Sequence, residues 1–388
     1  MYRRDFIKNF TYLSSSLCLN HLFNKNVFAN EALKVLTLNI AKVTKTWDEM
    51  SVEADVPISF YEKKGSAAEL IEIFSKGDGI ELYDAVTDNG GNQEDIFFKN
   101  KLIETLDISN IKNWKQIIPE YGKNKEYSDS IRNEEGDIVG VPYLSNTDSL
   151  AYNKTKIGED IDTWEALFDS QFKGYSSIQN SLGPTFTITA IYLKQSNKQD
   201  IKNPSNMTKD EIKGVSEFLI KMKKRGQFKK IWESFNEGVE SLANGEVLIS
   251  SCWEPMSISA KTKGADIKYG VMKEGHLSWN NIWMFTKGGK KRGQQKNFYK
   301  LMDLYLSPWF GIRLLDKYGF TPQMTGMKKY INDLENLDVV KKQTLTQRLI
   351  DKQKRISIKG NSWQNLYPKE ILTYKEWWQK KRAPHAKN

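Results

Sequence analysis

Apolar and polar side chains alternate over residues 34–39 and again over 58–61, and this period of two predicts two β-strands with a short helix between them. Over residues 66–75 the period changes, with Ala67, Leu70, Ile71 and Phe74 at helical spacing, and residues 81–87 then return to a strand pattern. Strand, helix and strand in that order predict a βαβ unit and an α/β fold. The last strand runs into Asp88, Asn89, Gly90, Gly91 and Asn92, a turn-rich loop at the carboxyl end of a parallel strand, where open α/β sheets hold ligands.

Further along, residues 138–143 and 149–152 read as two extended segments carrying the chain from one lobe to another. A helix begins at Trp164. Thr208 and Glu211 form a capping-box pattern ahead of Val215, Phe218, Leu219 and Met222. Residues 239–244 end at Gly245, a left-handed cap candidate, and residues 247–251 form a short buried strand leading to Cys252, Trp253, Glu254 and Pro255. Residues 332–388 read as mostly helical, with Trp377 and Trp378 exposed near a basic tail.

At 388 residues the chain exceeds the size at which one core keeps growing, so two domains are expected. The net charge of +10 is spread along the sequence. Its densest run, Lys287 to Arg292, contains two glycines and no interleaved aromatic, so it reads as a solvated loop and no nucleic-acid partner is expected. At the N-terminus, Arg3, Arg4, Phe6 and Lys8 precede a weakly apolar stretch too short and polar for a membrane span. This resembles a twin-arginine export signal, with cleavage expected after Ala29 and delivery to the periplasm. Cleavage removes a net of three positive charges, leaving the mature chain at +7, and takes away Cys18. Cys252 then has no partner for a disulfide and reads as a small buried residue at a strand end.

Five groups of residues carry a family resemblance across most of the mature chain. They are Val141-Pro142-Tyr143; Trp164 with Leu167, Phe168 and Phe172-Lys173-Gly174; Gly245-Glu246-Val247 leading to Trp253; Lys273-Glu274-Gly275 leading to Trp279; and Gly319-Phe320-Thr321-Pro322. Their order and spacing are similar to those of the bacterial spermidine/putrescine-binding proteins, receptors of ATP-driven (ABC) importers. The resemblance implies a type II periplasmic-binding-protein fold, two α/β lobes joined by crossing strands around a ligand cleft. The expected division is residues 30–148 and 279–326 for one lobe, and 149–278 and 327–388 for the other. It also implies a monomer that carries a small-molecule solute to an inner-membrane permease without catalysis or cofactor.

In that family, tryptophans corresponding to Trp253 and Trp279 flank the ligand and acids hold its ammonium groups. Here the tryptophans are present and the acids are replaced. Asn39 opens a loop in which Lys42 stands at an acidic position, Asn281 replaces an aspartate, and residues 179–184 contain no carboxylate. Burying a diammonium ligand without paired anions is costly. Lys42 and the amides of Gly90 and Gly91, beside Asn89, suit an anionic or zwitterionic solute, while Asp88 and Glu254, expected at the cleft rim, keep a polyamine in play. Ferric iron would need clustered tyrosines, whereas Tyr143, Tyr152, Tyr175 and Tyr192 are spread out; carbohydrate is favoured by abundant tryptophan. A hydrolase or lyase is disfavoured, because the mature chain has only His276 and His385 and none of the usual nucleophile, zinc or phosphate-loop motifs.

Overall fold

β1 (Leu33–Thr37) lies between β2 (Ile58–Glu62) and β3 (Ala85–Gly90), parallel to both. The helix Trp47–Ala54 makes the first crossover and starts at Thr46, whose side chain accepts from the Glu49 N–H. The computed structural model describes residues 32–63, 67–91, 93–119 and 125–379; the expected export signal and cleavage site, and His385, lie outside them.

The strand expected over 81–87 is displaced. Gly79–Leu82 is a helical turn, and β3 starts only at Ala85. Just before that point the Asp84 N–H donates to the Lys34 carbonyl at 2.8 Å, and the Asp84 carboxylate accepts the Lys34 N–H at 2.7 Å, so backbone and side chain together bind β1 there. The strand instead extends through Asn89 and Gly90, because β9 (Leu277–Phe285) pairs with them antiparallel. Asp88 and Asn89 are therefore strand residues. Asp84 also explains the basic run: Thr286 caps a short helix, Lys287–Lys291, and Arg292 reaches Asp84 at 2.6 Å. That segment is a short helix and not the loop expected, with Gly288 and Gly289 buried, while Lys287, Lys290 and Lys291 are exposed to solvent as expected.

The two extended segments expected over 138–143 and 149–152 are parts of one strand, β4 (Val141–Asn153), thirteen residues long and buried throughout. Its first half pairs with β9 through Asp148, and its second half pairs with β7 (Ile249–Cys252) from Ser149. β7 continues to β5 (Ser176–Gln179) and β6 (Phe228–Trp232), while β8 (Ile267–Tyr269) joins the end of β4. One strand thus belongs to both lobes.

Each half-sheet has its own cores. Leu33, Val35, Tyr143, Trp283 and Phe310 pack on one face of the first, and Val86, Phe97, Ile282 and Met284 on the other. In the second, Trp164, Phe186, Ile212 and Leu219 form the larger core, and Trp232, Val247, Cys252 and Met256 the smaller. The expected capping box at Thr208 and Glu211 and the left-handed Gly245 are both present. C-terminally, Leu345 enters the first lobe's core and Tyr374 the second's. Trp377 and Trp378 pack half-buried on that second core, where Phe186 meets the Trp378 ring at 6.0 Å, so they are not the exposed pair expected.

Between the helices Val339–Ile356 and Ile371–Gln379 the chain crosses again through β10 (Ser362–Trp363), which pairs with the start of β9. Gly275 and Gly360 meet there backbone to backbone: Gly275 has φ +113°, and a Cβ on it would lie 2.2 Å from the Gly360 carbonyl oxygen. Both sterics and dihedral exclude a side chain. Gly275→Ala is expected to lower unfolding free energy by about 1–3 kcal/mol, read from the shift of the urea midpoint at unchanged slope; an unaltered midpoint would show that the crossing yields without cost.

Candidate functional site

β3 lies beside β1 on one side and is paired with β9 through its carboxyl end on the other. Asn89 and Asn281 are register partners, and Asn281 Nδ2 donates to Asn89 Oδ1 at 2.6 Å. Behind them the buried Tyr143 hydroxyl donates to Asn281 Oδ1 at 3.2 Å, which fixes that amide's orientation. The bond between the two amides uses one of the four side-chain N–H groups of the pair. Two residues along β9, Trp279 is partly exposed, with its ring edge-on to Phe320 at 5.4 Å and its Nε1 donating to Asp148 Oδ1 at 2.8 Å.

Trp253 stands in the other half-sheet, directly after β7. It caps β7 and precedes the helix Glu254–Thr262, whose early Pro255 suits a first turn. Its half-buried ring stands edge-on to Trp232 at 5.3 Å.

The two acids expected at the cleft rim are buried and ion-paired. Asp88 is 3 % exposed, with its carboxylate 2.7 Å from the equally enclosed Lys63 ammonium. Glu254 is held by Lys352 at 3.0 Å and Arg355 at 2.8 Å, both from the helix Val339–Ile356. Burial pushes the Glu254 carboxyl up, but the two cations outweigh it and hold it below its usual range. Lys63 stands directly after β2 and the partners of Glu254 lie about 100 residues further along the chain, which is why these acids read as available in the sequence.

Lys42 does not stand out as a ligand group. It is half-buried, and its ammonium donates to the Lys45 carbonyl at 2.8 Å, within its own loop. Asn39 is exposed in a turn of 3-10 helix, where its carbonyl accepts the Lys42 N–H. Tyr143 lies in the first lobe's core and Tyr152 and Tyr192 in the second's, an arrangement that does not gather ferric ligands.

Sequence reasoning missed Asp148. It sits on β4 at the handover between half-sheets, 3 % exposed, and its Oδ1 accepts from Asn146 Nδ2 at 3.1 Å as well as from Trp279. Burial raises its carboxyl to about 7, against the opposing effects of those two bonds and of Lys352. Burial likewise lowers Lys352 to about 8 and His276 to about 3. The cluster is tied to the crossing strand: Lys352 donates to Asn146 Oδ1 at 3.1 Å, and Arg355 to Thr147 Oγ1 at 3.2 Å. Arg355 also lies 4.9 Å from the Tyr269 ring centroid.

A family model described as bacterial extracellular solute-binding protein matches residues 81–335. A putrescine/agmatine-binding protein of Pseudomonas aeruginosa is 23 % identical over 235 residues, 57 % of this chain, and the chain spans 60 % of that relative's length. Among solved structures, a putative spermidine/putrescine ABC transporter protein from Listeria monocytogenes superposes with a TM-score of 0.66 at 16 % identity, covering 89 % of this chain and 97 % of the other. The spermidine/putrescine transporter substrate-binding protein of Streptococcus pneumoniae gives 0.69 at 15 % identity, covering 90 % and 98 %. These neighbours share the two-lobe α/β fold.

Removing one partner from a buried ionic group leaves the others uncompensated. Glu254→Ala is expected to cost about 3–5 kcal/mol of stability by chemical denaturation, several times the loss from cutting the exposed pair of Lys125 and Asp129, 2.6 Å apart. Equal losses would mean that the cluster at the crossing strand carries no special weight.

Proposed function

The chain belongs to the family of bacterial extracellular solute-binding proteins, and from that premise we propose that it is the receptor of an ATP-driven importer. It takes a small organic solute between its lobes, closes over it by bending at the β4 and β9 crossings, and presents the closed form to a membrane permease. No bond is made or broken. The receptor works as a monomer in the periplasm, reached through the twin-arginine-type signal of residues 1–29. Its lobes divide where β4 passes from β9 to β7.

The solute is a zwitterion of short chain. The observation that carries this reading is the charge balance at the walls. Asp88 and Glu254 already have buried cations at 2.7–3.0 Å, and the Asn89–Asn281 pair offers neutral N–H donors suited to a carboxylate. A diammonium compound would meet acids whose charge is already used. The partly exposed faces of Trp253 and Trp279 suit the ligand's hydrocarbon segment and its single ammonium.

An isosteric four-carbon series tests both the role and the charge. Thermal unfolding would be followed with 1,4-diaminobutane, 4-aminobutanoate and butanedioate, since a specific ligand at 100 times its Kd adds about 2.7 kcal/mol. The zwitterion is expected to raise Tm most, with compaction visible in X-ray scattering. A rise with the diamine alone would reverse the charge assignment, and a scattering profile indifferent to all three would remove the cleft reading for this series.

A further inference from the structure

Four charged side chains meet at the crossing strand: Asp148, Glu254, Lys352 and Arg355. Their formal charges cancel, but their bonds do not divide evenly. Lys352 and Arg355 both bind the Glu254 carboxylate, at 3.0 and 2.8 Å, and spend further donors on Asn146 and Thr147. Asp148 has no cation within ion-pair distance among the described residues, and the bonds to its carboxylate come from an amide and an indole N–H, both on Oδ1. The other groups packed against it are neutral: His276 meets its backbone carbonyl at 3.0 Å, and burial keeps the Tyr269 phenol and the Cys252 thiol protonated.

We infer that Asp148 is the residue that sets the charge the site accepts: held on the Trp279 indole N–H, its carboxylate makes the open face of that ring a receptor for one organic ammonium. A carboxylate accepting from the indole polarises the ring and adds negative potential to the face that a ligand meets. The same bond locks the ring against Phe320, so the face is presented in one orientation. Asp148 acts through Trp279 and is thus a positioning residue. The inference rests on the reading of the interlobe cleft as the solute site, and it adds which of the buried acids governs the cationic end.

The charge is switchable. With its carboxyl raised to about 7 by burial, Asp148 is protonated in mildly acidic solution and ionised in mildly basic solution. Affinity for an ammonium therefore rises with pH through that window. For stability the sign is opposite: an acid raised in the folded state costs nothing below the ordinary aspartate range and its full amount above 7. Asp148→Asn, which preserves the shape and an oxygen acceptor for Trp279, should thus raise Tm at pH 8 by more than at pH 5.

Two measurements test the inference. In the first, the Trp279 indole N–H resonance is followed by nuclear magnetic resonance from pH 5 to 8.5 in wild type and in Asp148→Asn. A titration near neutrality that vanishes in the variant is expected, and a wild-type resonance that does not move overturns the assignment. In the second, 4-aminobutanoate and butanedioate are titrated calorimetrically. Asp148→Asn should weaken 4-aminobutanoate about tenfold and leave butanedioate unweakened; an unchanged 4-aminobutanoate affinity overturns the inference. Trp279→Phe retains a ring without the N–H and should bind with its pH dependence lost; retained dependence counts against the link. A wild type that binds neither compound counts against the cleft reading, while the indole titration still decides the state of Asp148.

Discussion

The junction between the half-sheets depends on one carboxylate. Glu254 begins the helix that follows β7, and it draws Lys352 and Arg355 from a helix that packs on the first lobe's core. The same two cations grip Asn146 and Thr147 of β4, the strand common to both halves. Without that carboxylate, two cations that are 2 % and 1 % exposed would face each other beside the crossing strand. With it, burial is tolerated and the helix is seated in one register.

This arrangement also explains why aromatic residues can remain partly open at the candidate site. Trp253 directly precedes Glu254, so the pairing that anchors the helix start also orients that indole. Trp279 is anchored at its N–H by Asp148 and at its edge by Phe320. In both cases the fold supplies rigidity from behind, and the exposed face need contribute nothing to stability. A receptor needs such surfaces, since groups already satisfied by the protein have little left to offer a solute.

Local features were legible in the sequence where the determining partners are near in the chain. The Thr208–Glu211 box and Gly245 as a left-handed terminator both rest on contacts within a few residues. Motif order and spacing carried the resemblance to the family, and with it the two-lobe fold. Remote pairing decided the rest. The pattern over 81–87 gave way to the Asp84 bonds with Lys34 and Arg292, the latter more than 200 residues away. Asp88 and Glu254 looked available because Lys63 and Lys352 stand elsewhere in the sequence. Asp148 left no mark at all: the run Asn146, Thr147, Asp148, Ser149 is polar and small, with no alternation to betray a buried strand.

Cys252, at the end of β7, is buried with its thiol held protonated, and no disulfide or metal cluster occurs among the described residues. Among the described residues, the lobes are held by apolar cores and buried ion pairs. The cysteine itself, 3 % exposed and with its thiolate disfavoured by burial, is poorly placed to react with an oxidant.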